Sequence, residues 1–194
     1  EEKESKLARE LVAFIRPVID GKITSYYEWL PAGFYDPTAY GGAMHQVDSI
    51  VIRIYYGFDL HNLYVRLDPA SEIGVGPSPS LCFILDFLGP RPQRFELQVL
   101  PEKKTRACFY EQESGDGKTP AGEWRMIREV FTVAVDEVVE MEIPFELLRA
   151  VPNQEVRFFV SVRKDGEQIE RWPQNGYLSF DVPTEDFEAQ RWCV

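Results

Sequence analysis

Two hydrophobic periods run along the chain, and the switch between them divides it. Over residues 1–16, Leu7, Leu11, Phe14 and Ile15 recur at helical spacing, with Glu1, Glu2 and Glu4 at the start and Pro17 just past the end. The spacing predicts one amphipathic helix, either docked on the domain edge or ending a linker from a preceding domain. Further on the period becomes two, the mark of strands. Ile50, Ile52, Ile54 and Tyr56 alternate with Val51, Arg53 and Tyr55. After the turn GFDLHN, Leu63, Val65 and Leu67 alternate with Tyr64, Arg66 and Asp68, which predicts a hairpin. The nearly all-apolar run SLCFILDFLG reads as a central strand covered on both faces, and RFELQVL and RACFYEQ follow it. A polar loop, ESGDGKTPAG, leads to EWRMIREV, FTVAV and VVEMEI. Next, IPFELLRAV predicts a short helix with Pro144 near its first turn. The strand around Val156, Phe158, Val160 and Val162 turns at KDGE into QIERW, and LSFDV comes last. Many short strands without repeating helices between them predict an all-β fold. It is an antiparallel β-sandwich over residues 17–194, with an N-terminal helix and one short internal helix.

One stretch fits neither period. YYEWLPAGFYDPTAYGGAMHQ, residues 26–46, holds six aromatic residues, but Pro31, Gly33, Pro37, Gly41 and Gly42 interrupt any regular strand or helix. It is either a loop presenting rings to a ligand or a lid burying them.

Composition narrows the partners. The net charge is −11, from 32 acidic and 21 basic residues, and the basic ones form no stripe. Nucleic acid and anionic membrane both demand a positive footprint, so neither is expected as a partner. Cys82 and Cys108 sit in apolar runs, the third cysteine is Cys193, and neither a disulfide framework nor a metal spacing appears. A reducing, cytoplasmic location is the expectation. No segment reaches bilayer length and no signal-peptide pattern opens the chain, which reads as a domain of a longer protein.

Candidate chemistry is sparse. His45 and His61 are the only histidines and no nucleophile elbow accompanies them, while Cys82 and Cys108 lie in strand patterns rather than at a helix start. Asp59, Asp68 and Asp86 could pair across a cleft for glycoside hydrolysis, but turn and strand-end roles compete. Asp86 interrupts FILDFL, where an unpaired carboxylate facing the core would be costly. It faces solvent, pairs with an arginine or ligates a hard cation such as calcium. Met44 and His45 are adjacent, so on an extended segment they point oppositely and cannot both ligate one haem.

Aromatic rings are the strongest feature. Trp29, Trp124, Trp172 and Trp192 all fall near strand ends or in loops. A pyranose offers a flat C–H face to such rings, although for any single one capping of the core ends is the better explanation. Covering about 60 Å² of sugar at about 25 cal/mol per Å² contributes about 1.5 kcal/mol, against an association cost of ~4 kcal/mol or more. At least two rings must therefore converge, with polar side chains beside them.

The ordered series IDGKI, EWL, IRIYYGFDLHNLYVRLD, VEMEIPFELL and RFFVSVRKDGEQIERWP resembles family 9 carbohydrate-binding modules and the wider DOMON-like group. More specifically, DGKITSYYEWLPAG, GGAMHQ and ERWPQNGYLSFDVP are similar to the C-terminal domain of long family 57 glycoside hydrolases, the α-amylase-like group. The resemblance implies a non-catalytic accessory domain with no catalytic residue of its own, whose partners are a saccharide and the catalytic domain of the same chain. It also implies a sugar clamp between two tryptophans and a structural calcium, with no other cofactor. Trp172 matches one clamp position. Trp29 is the candidate for the other, with Tyr35, Tyr40 and Trp124 as rivals and His45, Asp59 and Arg171 as hydroxyl partners. The alternatives are an interaction module whose 26–46 loop shapes the catalytic cleft, and a DOMON-like haem or redox domain.

Overall fold

In the computed structural model, residues 8–40, 49–73, 80–112 and 122–191 are described. In chain order the strands are β1 (Ala8–Arg9), β2 (Gly33–Tyr35), β3 (Val51–Phe58), β4 (Asn62–Pro69), β5 (Leu81–Gly89), β6 (Gln93–Val99) and β7 (Thr105–Gln112). They continue as β8 (Trp124–Val130), β9 (Val133–Val135), β10 (Val139–Pro144), β11 (Glu155–Lys164), β12 (Glu167–Trp172) and β13 (Leu178–Asp181). The helical pieces are short: α1 (Phe145–Leu148), α2 (Phe187–Arg191) and two 3-10 turns. The first sheet has the order β1-β2-β3-β4-β10-β9 and the second β12-β11-β5-β6-β7-β8, with β13 on the other half of β11. All pairings among the described residues are antiparallel. The fold is the expected antiparallel β-sandwich.

Alternation explains the layers. Ile54, Tyr56, Phe58, Leu63, Val65 and Leu67 of the first sheet meet Phe83, Leu85, Phe87, Phe95, Phe109 and Phe158 of the second in one core. The apolar run of β5 lies between β11 and β6, and Ile84, on its outward side, is nonetheless fully buried. The expected KDGE turn joins β11 to β12, with φ positive at both Asp165 (50°) and Gly166 (89°), the backbone that a tight hairpin demands. The short helix with Pro144 before its first turn is α1.

The helix expected over residues 1–16 is not formed in its described part; residues 1–7 lie outside the described residues. Ala8 and Arg9 pair with β2, and an irregular strap follows, in which the Val12 amide donates to the Pro31 carbonyl at 3.0 Å and the Ile15 amide to the Phe58 carbonyl at 3.0 Å. Leu7, Leu11 and Ile15 recur at a spacing of four, an even number, so that pattern serves an extended chain as well as a helix. Leu11 and Ile15 are both buried without any helix.

From this strap to Ala32 the chain crosses the outer face of the first sheet. Ile15, Trp29, Ala32 and Tyr64 form a second, smaller hydrophobic cluster there, with Ile19 and Tyr55 against it. The first sheet is therefore covered on both faces.

Candidate functional site

Trp29 lies under this lid, 3% exposed. Its indole Nε1–H donates to Oε1 of Glu140 at 3.2 Å, and the Glu140 Oε2 accepts the backbone amides of Gly21 at 2.9 Å and Asp20 at 3.1 Å. Glu140 points outward from β10 because its neighbours Val139 and Met141 point into the core. Burial pushes its carboxyl above the ordinary glutamate range, and the three N–H donors only partly offset that cost. Trp172, 7% exposed, stands in the main core and donates its Nε1–H to Oε2 of Glu170 at 3.0 Å. Glu170 also accepts the amides of Ile50 and of Val51, the latter at 3.2 Å, so it ties the second sheet to the start of β3 in the first. Each tryptophan thus shares a carboxylate with two backbone amides, one under the lid and one between the sheets.

Tyr35 is 3% exposed on the core side of β2. As candidates for the second clamp ring, Trp29 and Tyr35 are not brought to one surface: they are buried on opposite faces of the first sheet, because lid and sandwich each recruit one ring. The Tyr40 side chain and His45, like Met44 and Trp192, lie outside the described residues. Asp59, 6% exposed, closes the hairpin between β3 and β4. Its Oδ1 accepts the amides of His61 at 2.7 Å and Asn62 at 2.8 Å, and its Oδ2 accepts the Tyr64 hydroxyl at 2.9 Å. Burial and these contacts push the Tyr64 phenol up to about 12. Arg171 donates to the carbonyls of Pro173, Gln174 and Gly176 and stacks on Phe159, 3.9 Å from the ring centroid. Its donors pin the turn after β12.

Trp124 differs from the two buried indoles. It is half-buried on the outer face of the second sheet, with the Arg94 guanidinium 4.4 Å from its ring centroid. Arg94 is held by Asp86, Nε to Oδ1 at 2.6 Å, and by Glu96 at 3.6 Å. Of the explanations for Asp86, the arginine pair is the one present, on the face away from the core. Register aligns Phe159, Asp86, Arg94, Tyr110 and Met126 in one row across β11, β5, β6, β7 and β8. Trp124 and Arg171 share this face but stand five strand spacings apart, ~24 Å at ~4.8 Å each.

Among the described residues, no group of three His, Cys, Asp or Glu side chains is placed to hold a metal ion. Cys82 and Cys108 are free thiols, and burial pushes the Cys82 thiol up to about 11, so it stays protonated at neutral pH. No described helix is long and apolar enough to cross a membrane. Sequence reasoning missed Arg94, Glu140 and Glu170. Glu140 could have been found by the argument applied to Asp86, a carboxylate inside an apolar strand run. Glu170, two residues before Trp172, shares its strand face. Neither a known protein family nor a curated protein matches the chain.

Proposed function

We propose that this sandwich is a non-catalytic accessory domain of a glycoside hydrolase that binds an α-glucan or related saccharide on the outer face of its second sheet, around Trp124. The observation carrying this reading is the stack of Trp124 on Arg94, itself fixed by Asp86 and Glu96. A planar ring on a rigid strand, flanked by charged hydrogen-bonding groups and the half-buried Tyr110, is what a pyranose face and its hydroxyls require. Tyr110 and Trp124 stand on adjacent strands, two register positions apart on one face, so hydrogen bonds from the charged neighbours have to supplement the two rings, and pre-ordering of Arg94 reduces the entropy lost on binding. Titration with malto-oligosaccharides should give a saturable tryptophan fluorescence change, because among the described tryptophans Trp29 and Trp172 are buried and Trp124 is not. Trp124→Phe should abolish that change. No response at about tens of millimolar, beyond the weak end of useful affinity, removes the binding claim.

A second reading has its own observation. Val12, Val18, Ile23, Tyr26, Tyr27 and Leu30 are exposed large hydrophobics on the strap and lid, with Tyr26 and Tyr27 at 75% and 76%. Exposed apolar surface of this kind suits docking against the catalytic domain of the same chain. Hydrogen exchange of residues 12–30 should then slow in the intact parent relative to the isolated domain, and equal rates in both count against it.

A further inference from the structure

The far end of the face that carries Trp124 has rings of its own. Phe159 alternates with the core residues Phe158 and Val160 on β11, so it points outward, where it is half-buried. The Arg171 guanidinium lies 3.9 Å from its ring centroid. Register pairs Phe158 with Leu178 on β13, so the chain at Tyr177 comes in beside Phe159. Tyr177 is 45% exposed, and the guanidinium of Arg157, on the Phe159 side of β11, stands 5.4 Å from its ring centroid.

Arg171 holds this end together. Besides stacking on Phe159, it donates to the carbonyls of Pro173, Gln174 and Gly176, the last directly before Tyr177. The turn that delivers Tyr177 is thus fixed by the side chain that stacks on its neighbour, which lowers the entropy lost when a ligand settles there. Three of the four guanidinium–ring stacks among the described residues lie on this one face, at Trp124, Phe159 and Tyr177; the fourth, Arg66 on Tyr55, belongs to the first sheet. Trp124 on β8 is four strand spacings from Phe159 on β11, ~19 Å at ~4.8 Å each, and the Asp86 and Arg94 pair lies between them. A single sugar on Trp124 cannot touch Tyr177, whereas a chain laid across the strands reaches both.

We propose, on the saccharide reading of this face, that Phe159 and Tyr177 form a second sugar subsite, so that the face takes an internal stretch of a long glucan rather than one terminal unit. One further ring face is worth about tenfold in affinity. Maltose and maltoheptaose are the probes, titrated against tryptophan fluorescence. Both should saturate, with maltoheptaose binding ~10-fold tighter and shifting the Leu178 and Ser179 amides in NMR spectra with the same midpoint as the fluorescence. Tyr177→Ala, at an exposed position, should bring maltoheptaose down toward the affinity of maltose. Equal affinity for the two sugars, unmoved Leu178 and Ser179 amides, or a Tyr177→Ala variant that still prefers the long chain would overturn the second subsite and leave the one at Trp124 standing. Absence of any response to either sugar would instead remove the saccharide reading itself, and the second subsite with it.

Discussion

Replacing Glu140 tests whether the lid is held by one carboxylate. Glu140→Ala leaves three N–H donors without their acceptor: the Asp20 and Gly21 amides and the Trp29 indole. Gly21 and Trp29 are buried, so their two donors cannot turn to water, whereas the half-exposed Asp20 amide can. A stranded buried donor costs ~1–3 kcal/mol, which puts the loss at ~2–5 kcal/mol after the relieved desolvation of the carboxylate is set against it. Glu140→Gln keeps one acceptor but turns an NH2 toward an amide, and should lose ~1–2 kcal/mol. Urea unfolding gives the stability, and hydrogen exchange at the Gly21 amide shows whether the loss is in the lid. The pH dependence has a definite sign. Burial raises the folded-state pKa of Glu140 above its unfolded value, so its contribution is full below the ordinary glutamate pKa and declines as pH rises through the raised one. The advantage of wild type over the Gln variant should therefore shrink from acid toward neutral pH. An Ala variant within ~0.5 kcal/mol of wild type, with Gly21 equally protected, would refute the reasoning.

Other outcomes follow from the same geometry. Glu170→Ala should cost ~1–3 kcal/mol in urea unfolding, because Ile50, Val51 and Trp172 lose their shared acceptor, and an unchanged midpoint would remove its role as the tie between the sheets. Gly57→Ala should destabilise by ~1–3 kcal/mol, since its Cβ would stand 2.8 Å from Ile15 Cγ1 under the strap; a neutral effect would mean that the strap lifts freely. Cys82 should be alkylated ~100-fold more slowly than an ordinary thiol at pH 8, because its pKa rises from 9.0 to about 11; mass-spectrometric mapping of the label checks the rate.

The fold was legible because strand alternation is a local property. The run SLCFILDFLG announced a strand between two others, and β5 occupies that place. The KDGE turn and the short helix after Pro144 likewise rest on backbone preferences that act within a few residues. The first residues misled because a spacing of four satisfies both periods, and the choice was made by the Pro31 and Phe58 carbonyls that accept from Val12 and Ile15.

The candidate site was legible only in part. Tryptophans near strand ends beside carboxylates are visible in the chain, but stacking on a sugar and donating an indole N–H to a buried glutamate call for the same residue types. Which carboxylate each indole meets depends on contacts between residues 111 positions apart for Trp29 and only two apart for Trp172. By itself the sequence determined the strands from β3 onward, most of their inward and outward faces and the acidic surface, since these depend on period and composition, whereas β1 and β2 form only by pairing onto β3 and each other. Tertiary structure alone decided that Trp29 and Tyr35 bury themselves on opposite faces, that Arg171 closes a turn and that Trp124 stays half-exposed on Arg94. Those outcomes depend on which chain segment covers which sheet face, and no local pattern encodes that.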